Sequence, residues 1–159
     1  MSPGGQVFVA GTGGATGQNM AVVRLAPDLP LWAAGTVSIE WGSTVNAVVV
    51  DAAGRVVLAG AAHTNPANLA LIAAARLNPS DLSPDRTFHG TGWQTVAVPG
   101  DQRGVAVDPA DRVVLVGDAN KAVAAYQGTG PSGDTGVPVV ARLLGDPPAP
   151  AAPLTLPGG

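Results

Sequence analysis

Short apolar runs rich in β-branched residues alternate with turns rich in Asp, Gly and Pro. Residues 45–50 and 55–60 flank Asp51-Ala52-Ala53-Gly54, in which Asp can cap a turn and Gly can adopt a positive φ. Positions 47–50 and 56–60 are apolar throughout, whereas a half-exposed strand would alternate apolar with polar residues. The pattern therefore predicts a β-hairpin that is covered on both faces.

This hairpin pattern recurs along the chain. VNAVVVDAAGRVVLAG at 45–60 matches QRGVAVDPADRVVLVG at 102–117 in nine of sixteen positions, with a constant offset of 57 (Asp108 minus Asp51). A third copy, GQVFVAG at 5–11, lacks the opening strand. Each copy is followed by an apolar run that ends in Arg-Leu, at Leu25, Leu77 and Leu143. The repeated unit is therefore longer than one hairpin.

Each complete unit is predicted to contain four strands, which in the middle unit cover 45–50, 55–60, 69–77 and 93–98. The alanines of 67–77 favour helix locally, but the equivalent segments of the other units are β-branched, so strand is predicted. Four-stranded units covered on both faces indicate an all-β fold of about three antiparallel repeat units of β-propeller type.

The expected domain organisation is a repeat array over 1–145, with units of about 5–44, 45–101 and 102–145, followed by a Pro/Ala-rich linker or tail at 146–159. A closed propeller takes typically four to eight blades. We therefore expect the array to be part of a longer protein or to be completed by association of copies into a homo-oligomer.

Composition excludes several classes of protein. Gly 22 and Pro 15 against a single glutamate and a single lysine disfavour an all-helical protein, and 46% hydrophobic residues disfavour disorder. The absence of cysteine excludes disulfides and thiolate chemistry. A net charge of −3 argues against nucleic-acid binding. No apolar run approaches the length of a membrane span, and no signal peptide is recognisable, so the sequence leaves the compartment open.

The middle unit carries the most specific motif, which comprises Ala75-Arg76-Leu77-Asn78, Asp81-Leu82, Asp85, Thr87-Phe88, Gly90 and Gly92. This motif, with the GRVVLAG and DRVVLVG strands, resembles the bacterial delta-60 repeat. The glycine expected beside Asp81 is absent, His89 stands where a glycine usually follows the phenylalanine, and the first unit has Leu31-Trp32 in place of Thr-Phe. The resemblance implies a propeller-like fold in large, often exported bacterial proteins, no catalytic residues, and a cell-surface or extracellular role.

A glycine-rich segment near the start offers a competing interpretation. A β-branched strand runs into four glycines, as in the nucleotide-binding turn of short-chain dehydrogenase-like Rossmann domains, and Glu40 could then meet the ribose. The alternative function is thus a fragment of an NAD(P)-binding, Rossmann-like oxidoreductase that uses Gly11, Gly13, Gly14 and Gly17. A hairpin loop is preferred, because the equivalent loops of the later units lack these glycines. The Tyr-x-x-x-Lys pair of such dehydrogenases is also absent, since Lys121 precedes the only tyrosine, Tyr126.

Other chemistry is poorly supported. His63 and His89, the only histidines, are 26 residues apart, and no serine lies in a Gly-x-Ser-x-Gly motif. We therefore expect no enzyme activity, no cofactor and no metal, and turn capping as the role of the aspartates.

The remaining candidate residues are tryptophans and arginines. Trp32, Trp41 and Trp93 could plug the space between units or stack on a sugar. Arg24, Arg76 and Arg142 recur at one position of the unit, where they could line one side, remain solvated or pair with loop aspartates. The sequence thus predicts a non-catalytic scaffold or binding module for a carbohydrate or protein partner at a bacterial cell surface.

Overall fold

The computed structural model describes residues 5–14, 18–25, 31–63, 70–119 and 137–143. These residues form an all-β structure of antiparallel strands without a helix. The strands belong to two sheets, one of which is a curled half-barrel. The prediction of an antiparallel all-β fold is therefore confirmed, and none of the described residues forms a helix that could cross a membrane.

Every strand pairs with its neighbour in the chain. The three-stranded sheet contains β1 (Val7–Gly13), β2 (Asn19–Leu25) and β3 (Leu31–Val37). The six-stranded sheet contains β4 (Ser43–Val50), β5 (Val56–His63), β6 (Ala70–Leu77), β7 (Trp93–Val107), β8 (Val113–Ala119) and β9 (Val137–Leu143). Below, the first unit means β1–β3, the middle unit means β4–β6 with the first half of β7, and the third unit means the second half of β7 with β8 and β9.

The alanine-rich segment forms a strand, as predicted. β6 lies between β5 and β7, and Ala73, Ala74 and Ala75 are fully buried. Local helix preference is overridden because the strand pairs on both edges and its small side chains fit between two packed layers. Residue 69, the first of the predicted strand, lies outside the described residues.

The last predicted strand of the middle unit does not end at Val98. β7 continues to Val107; its first half pairs with β6 and its second half with β8. At Gly100 a Cβ atom would lie 2.2 Å from the carbonyl oxygen of Asp118, so the strands approach closely where β7 changes partner. The unit boundary predicted near residue 101 therefore falls inside a continuous strand.

The sequence repeat corresponds to a repeat of strand register. β4 pairs with β5 from Ser43↔Ala62 to Val50↔Val56, and β7 pairs with β8 from Gly100↔Ala119 to Val107↔Val113. Each residue of the second hairpin is thus numbered 57 above its equivalent in the first (Val107 minus Val50). The register shift between Val45 and Ala47 also recurs between Gln102 and Gly104.

The strands β5 and β6 are buried on both faces, as predicted. One face contributes to the first core, which joins the first and middle units and includes Met20, Val22, Val37, Val56, Leu58, Ala73, Ala75, Leu77 and Leu82. The other face contributes to the second core, which joins the middle and third units and includes Val57, Ala59, Ile72, Ala74, Phe88, Val113, Leu115 and Leu143. Apolar residues at consecutive positions of β5 are explained by this double burial.

Candidate functional site

The two equivalent hairpin turns are stabilised by the same aspartate contacts. Asp51 Oδ1 accepts hydrogen bonds from the backbone N–H groups of Ala53 at 2.9 Å and Arg55 at 2.8 Å, and Arg55 Nε donates to Asp51 Oδ2 at 2.6 Å. Asp108 makes the corresponding contacts to Ala110 and Arg112, with Nε–Oδ2 also at 2.6 Å. The predicted turn-capping role of these aspartates is confirmed. We call this end of the sheet the hairpin end.

The two turns differ at their fourth residue. Gly54 has φ +82° and its equivalent, Asp111, has φ +61°. Both positions need the left-handed conformation, which glycine adopts readily and aspartate tolerates better than most residues. The turn of the third unit therefore carries a carboxylate where the turn of the middle unit has none.

A buried arginine reaches this carboxylate from the middle unit. Arg76 is 1% exposed; its Nε lies 2.7 Å from Asp85 Oδ2, its Nη1 3.3 Å from Asp111 Oδ2 and its Nη2 2.9 Å from Thr87 Oγ1. The guanidinium carbon is 5.1 Å from the centroid of the Phe88 ring. Burial of a guanidinium requires such a set of partners. Arg76 thus links its own loop to the turn of the third unit.

A second arginine joins the same carboxylates. Arg55 pairs with Asp51 and with Asp111, and its Nη1 lies 3.8 Å from Asp85 Oδ2. We call Asp51, Arg55, Arg76, Asp85 and Asp111 the ion-pair network. It contains three carboxylates and two guanidinium groups, so neighbouring charges alternate in sign across the boundary between the middle and third units.

The environment keeps two members of this network, Asp85 and Arg55, ionised at neutral pH. Burial raises the pKa of Asp85, but hydrogen bonds from Thr87 and the adjacent Arg76 lower it further, so the pKa lies below its ordinary value. Burial lowers the pKa of Arg55, but the hydrogen bonds to Asp111 and Asp51 outweigh this effect and raise it. Asp85 is therefore a hydrogen-bond acceptor and has no proton to donate as a general acid.

A cleft of about 270 Å³ opens at the hairpin end between the two turns. Its lining combines apolar strand ends with turn residues, namely Val49, Val50, Asp51, Ala52, Val107, Asp108, Pro109 and Asp111. The side chain of Asp51 is 1% exposed, whereas those of Asp108 and Asp111 are 20% and 36% exposed. The cleft thus offers a ligand an apolar surface and partly exposed carboxylate oxygens.

The three recurring arginines occupy one position of the sheet register, as predicted. Arg24 pairs with Phe8, Arg76 with Val57 and Arg142 with Val114. Pairing with loop aspartates is confirmed for Arg76, and Arg142 is exposed. Arg24 is not solvated: it is 6% exposed and donates to the backbone carbonyl oxygens of Pro79 and, at 3.2 Å, Ser80.

The tryptophans do not form one stacking surface. The backbone of Trp41 donates to the carbonyl oxygen of His63 at the end of β5 farthest from the hairpin end, and its side chain is 62% exposed. Trp93 pairs with Ala75 near the hairpin end and packs against the first core, as expected of a plug between units. Trp32 lies on β3. Trp41 and Trp93 therefore lie at opposite ends of the middle unit.

The nucleotide-binding interpretation of the glycine-rich segment is wrong in its structural basis. Gly11 and Gly13 belong to β1, Gly14 follows with φ +96°, and Gly17 lies outside the described residues. The alternative requires a helix after the glycines, but β2 lies there and pairs antiparallel with β1. The alternation of buried and half-buried residues along β2 suits a strand between two partners.

Sequence reasoning did not identify Asp85 and Asp111 as partners of Arg76. A signal was present, because Asp111 replaces Gly54 between two otherwise similar turns. Within the part of the chain that the structure describes, no three His, Cys, Asp or Glu side chains are arranged to hold a metal ion. Comparison of the chain with known protein families and with curated proteins gives no match.

Proposed function

We propose that the protein is a non-catalytic scaffold or binding module whose units stack as the blades of a β-propeller do. The observation that carries this proposal is the burial of β5 and β6 on both faces, by the first unit on one side and the third unit on the other. Stacked four-stranded sheets that cover one another are the packing expected of propeller blades. The repeated register and turn contacts add that neighbouring units are built alike.

The backbone of the loop after β6 supports the resemblance to the delta-60 repeat. Leu82 follows Asp81, where the family pattern has a glycine, and His89 replaces the glycine after the phenylalanine. These two residues have φ +59° and +53°, the left-handed conformation that glycine favours. Both residues thus have a conformation that a glycine at these positions would adopt readily, and the propeller-like fold and extracellular role implied by the resemblance remain our proposal.

The cleft at the hairpin end is the surface that we assign to binding. Partly exposed carboxylate oxygens of Asp108 and Asp111 can accept hydrogen bonds from sugar hydroxyls or peptide N–H groups, and the valines and Pro109 offer apolar contact. The pKa of Asp108 lies below its ordinary value because hydrogen bonds from the backbone and side chain of Arg112 outweigh the opposing effect of burial. The ionised carboxylate of Asp108 fits recognition of a carbohydrate or a protein partner better than proton transfer.

The test is a titration of the chain with neutral oligosaccharides and short peptides, followed by nuclear magnetic resonance. Ala52→Trp fills the cleft, and Ala53→Trp is the matched control, because Ala53 is an exposed neighbour that does not line the cleft. We expect Ala52→Trp to abolish binding and Ala53→Trp to preserve it. Binding that survives Ala52→Trp, or the absence of binding in both ligand classes, would contradict the assignment.

A further inference from the structure

The third unit presents an apolar outer face. Val116 and Val140 are cross-strand partners on β8 and β9 and are 42% and 72% exposed. Val114 and Arg142 form the next pair on the same face, since side chains two residues apart along a strand point the same way. We call Val114, Val116, Val140 and Arg142 the third-unit outer face. A paired patch of exposed β-branched residues, unlike a single one, indicates a contact surface.

The equivalent face is covered in both other units. In the middle unit the corresponding pairs are Val57–Arg76 and Ala59–Ala74, which are buried at the second core beneath the third unit. In the first unit they are Phe8–Arg24 and Ala10–Val22, which pack at the first core beneath the middle unit. The same register position is thus an interface twice within the chain and exposed once.

The opposite face shows the complementary arrangement. Leu58–Ala75 in the middle unit lies inside the first core and Leu115–Ala141 in the third unit lies at the second. Their equivalent in the first unit is the pair Val9–Val23, and Val9 is 51% exposed. We call Val9 and Val23 the first-unit outer face. The two ends of the stack therefore present the two kinds of surface that meet at each internal junction.

From this continuity we propose that the third-unit outer face binds the first-unit outer face of a second copy of this chain, head to tail. Each internal junction is a template for the contact, because it joins the same two kinds of face in the same register. Such a contact is heterologous, so repetition closes a ring or extends a row of copies. The proposal depends on the unit stacking described under the proposed function, and not on any ligand in the cleft.

Arg142 has a defined place in this contact. The turn position filled by Asp111 in the third unit and Gly54 in the middle unit corresponds to Gly5 in the first unit, and all three have positive φ. Where this position is Asp111, the arginine of the preceding unit pairs with a carboxylate; where it is Gly54, Arg24 binds carbonyl oxygens. In the proposed contact, Arg142 of one copy lies against the turn position that Gly5 fills in the next copy, and Gly5 supplies no carboxylate.

The experiment measures the mass of the full chain by sedimentation equilibrium over a dilution series. The wild-type chain is expected to associate, and Val140→Arg and Val9→Arg each to weaken association at least about tenfold. Ala110→Arg, at an exposed turn residue outside both faces, is the control and retains association. Circular dichroism reports whether each variant folds; if Val140→Arg does not, Val140→Thr replaces it, because its shape is nearly that of valine.

Mixing the two variants separates head-to-tail contact from a symmetric one. Val9→Arg retains an intact third-unit outer face and Val140→Arg retains an intact first-unit outer face, so the mixture is expected to form pairs although neither variant does so alone. A wild-type chain that keeps the mass of one copy throughout would overturn the proposal, as would association of either variant at wild-type strength or a mixture without pairs. Retained β-type dichroism and ligand binding in those cases would leave the proposed function intact.

Discussion

The junction between the first and middle units and the junction between the middle and third units use the same arginine in different ways. Arg24 and Arg76 share a register position, and both are nearly fully buried. Arg76 meets the carboxylates of Asp85 and Asp111, whereas Arg24 meets carbonyl oxygens of the loop that follows β6. The register position on the strand thus determines where the guanidinium group lies, and the residue in the neighbouring turn determines which group it binds.

A single turn residue accounts for much of the difference. Gly54 and Asp111 occupy the same place in equivalent turns, and both have positive φ. A Cβ atom at Gly54 would lie 3.8 Å from Pro79 Cβ, close to the loop that receives Arg24. Exchange of glycine for aspartate at this position therefore adds a carboxylate to the junction while the backbone keeps its positive φ. This comparison can be tested by removal of each partner in turn.

The largest effect is expected for Arg76→Met. Its removal leaves the buried carboxylate of Asp85 without its nearest cation, and loss of one partner from a buried pair costs about 3–5 kcal/mol in the free energy of unfolding. Urea denaturation measures this loss. Arg142→Met, measured at a chain concentration at which copies do not associate, is the matched control, because Arg142 holds the same register position but is exposed, and it should change stability by less than about 0.5 kcal/mol. Equal losses in the two variants would contradict the role of the network.

Arg24→Met should destabilise the chain less than Arg76→Met. The groups left behind include the carbonyl oxygens of Pro79 and Ser80, whose unmet hydrogen bonds cost about 1–3 kcal/mol. Urea denaturation under the same conditions gives the ranking. A loss as large as that of Arg76→Met would show that packing of the arginine stem, rather than the charge of its partners, determines stability at both junctions.

Asp111→Gly recreates the turn of the middle unit in the third. We expect a loss of about 1 kcal/mol, because Asp111 pairs with Arg55 and Arg76 but is partly exposed, and solvent screens its interactions. The positive φ is suited to glycine, so backbone strain is not introduced. In an Arg76→Met background the same substitution should cost less, and full additivity in this double-mutant cycle would exclude coupling between the two residues.

The smallest effect on the free energy of unfolding near neutral pH is expected from protonation of Asp85, which changes stability only in acid. Burial raises its pKa, but Thr87 and Arg76 lower it further, to below the ordinary value of 3.8. The resulting stabilisation is complete above the unfolded pKa and is lost as pH falls through the folded pKa. The stability difference between wild type and Arg76→Met should therefore narrow in acid below that value. The difference for Arg24→Met involves carbonyl groups and should not follow Asp85; parallel pH profiles would refute this distinction.

The sequence was sufficient to predict the hairpin of β4 and β5 and its turn, because their determinants are local. Asp51 and Gly54 act within one turn, and the apolar positions of β5 follow from its burial on both faces. The alanine-rich β6 required the repeat as well, since local propensity alone favours helix there. The continuous course of β7 was missed because a Pro-Gly pair at Pro99 and Gly100 ordinarily marks a turn.

The candidate site was less predictable, because its contacts join distant parts of the chain. Arg76 was identified from its recurrence, but its partners Asp85 and Asp111 come from a loop and from the next unit, and their convergence depends on how units stack. The tryptophans could not be placed from the sequence for the same reason. Trp41 and Trp93 lie at opposite ends of the middle unit, and the residue pattern alone does not show at which end of a sheet a strand begins.

The unbroken course of β7 also has a mechanical consequence. Its two halves belong to different units, and ladder hydrogen bonds to β6 and β8 hold it on both sides of Gly100. Bending at this point would break hydrogen bonds in one ladder or the other. The strand therefore resists bending, and the middle and third units should move together. The first and middle units share no such strand; near β4 the backbone joins them by single hydrogen bonds, such as that from Ser43 N–H to the carbonyl oxygen of Gln18. Tension applied along the chain should therefore separate the first unit before it divides the other two.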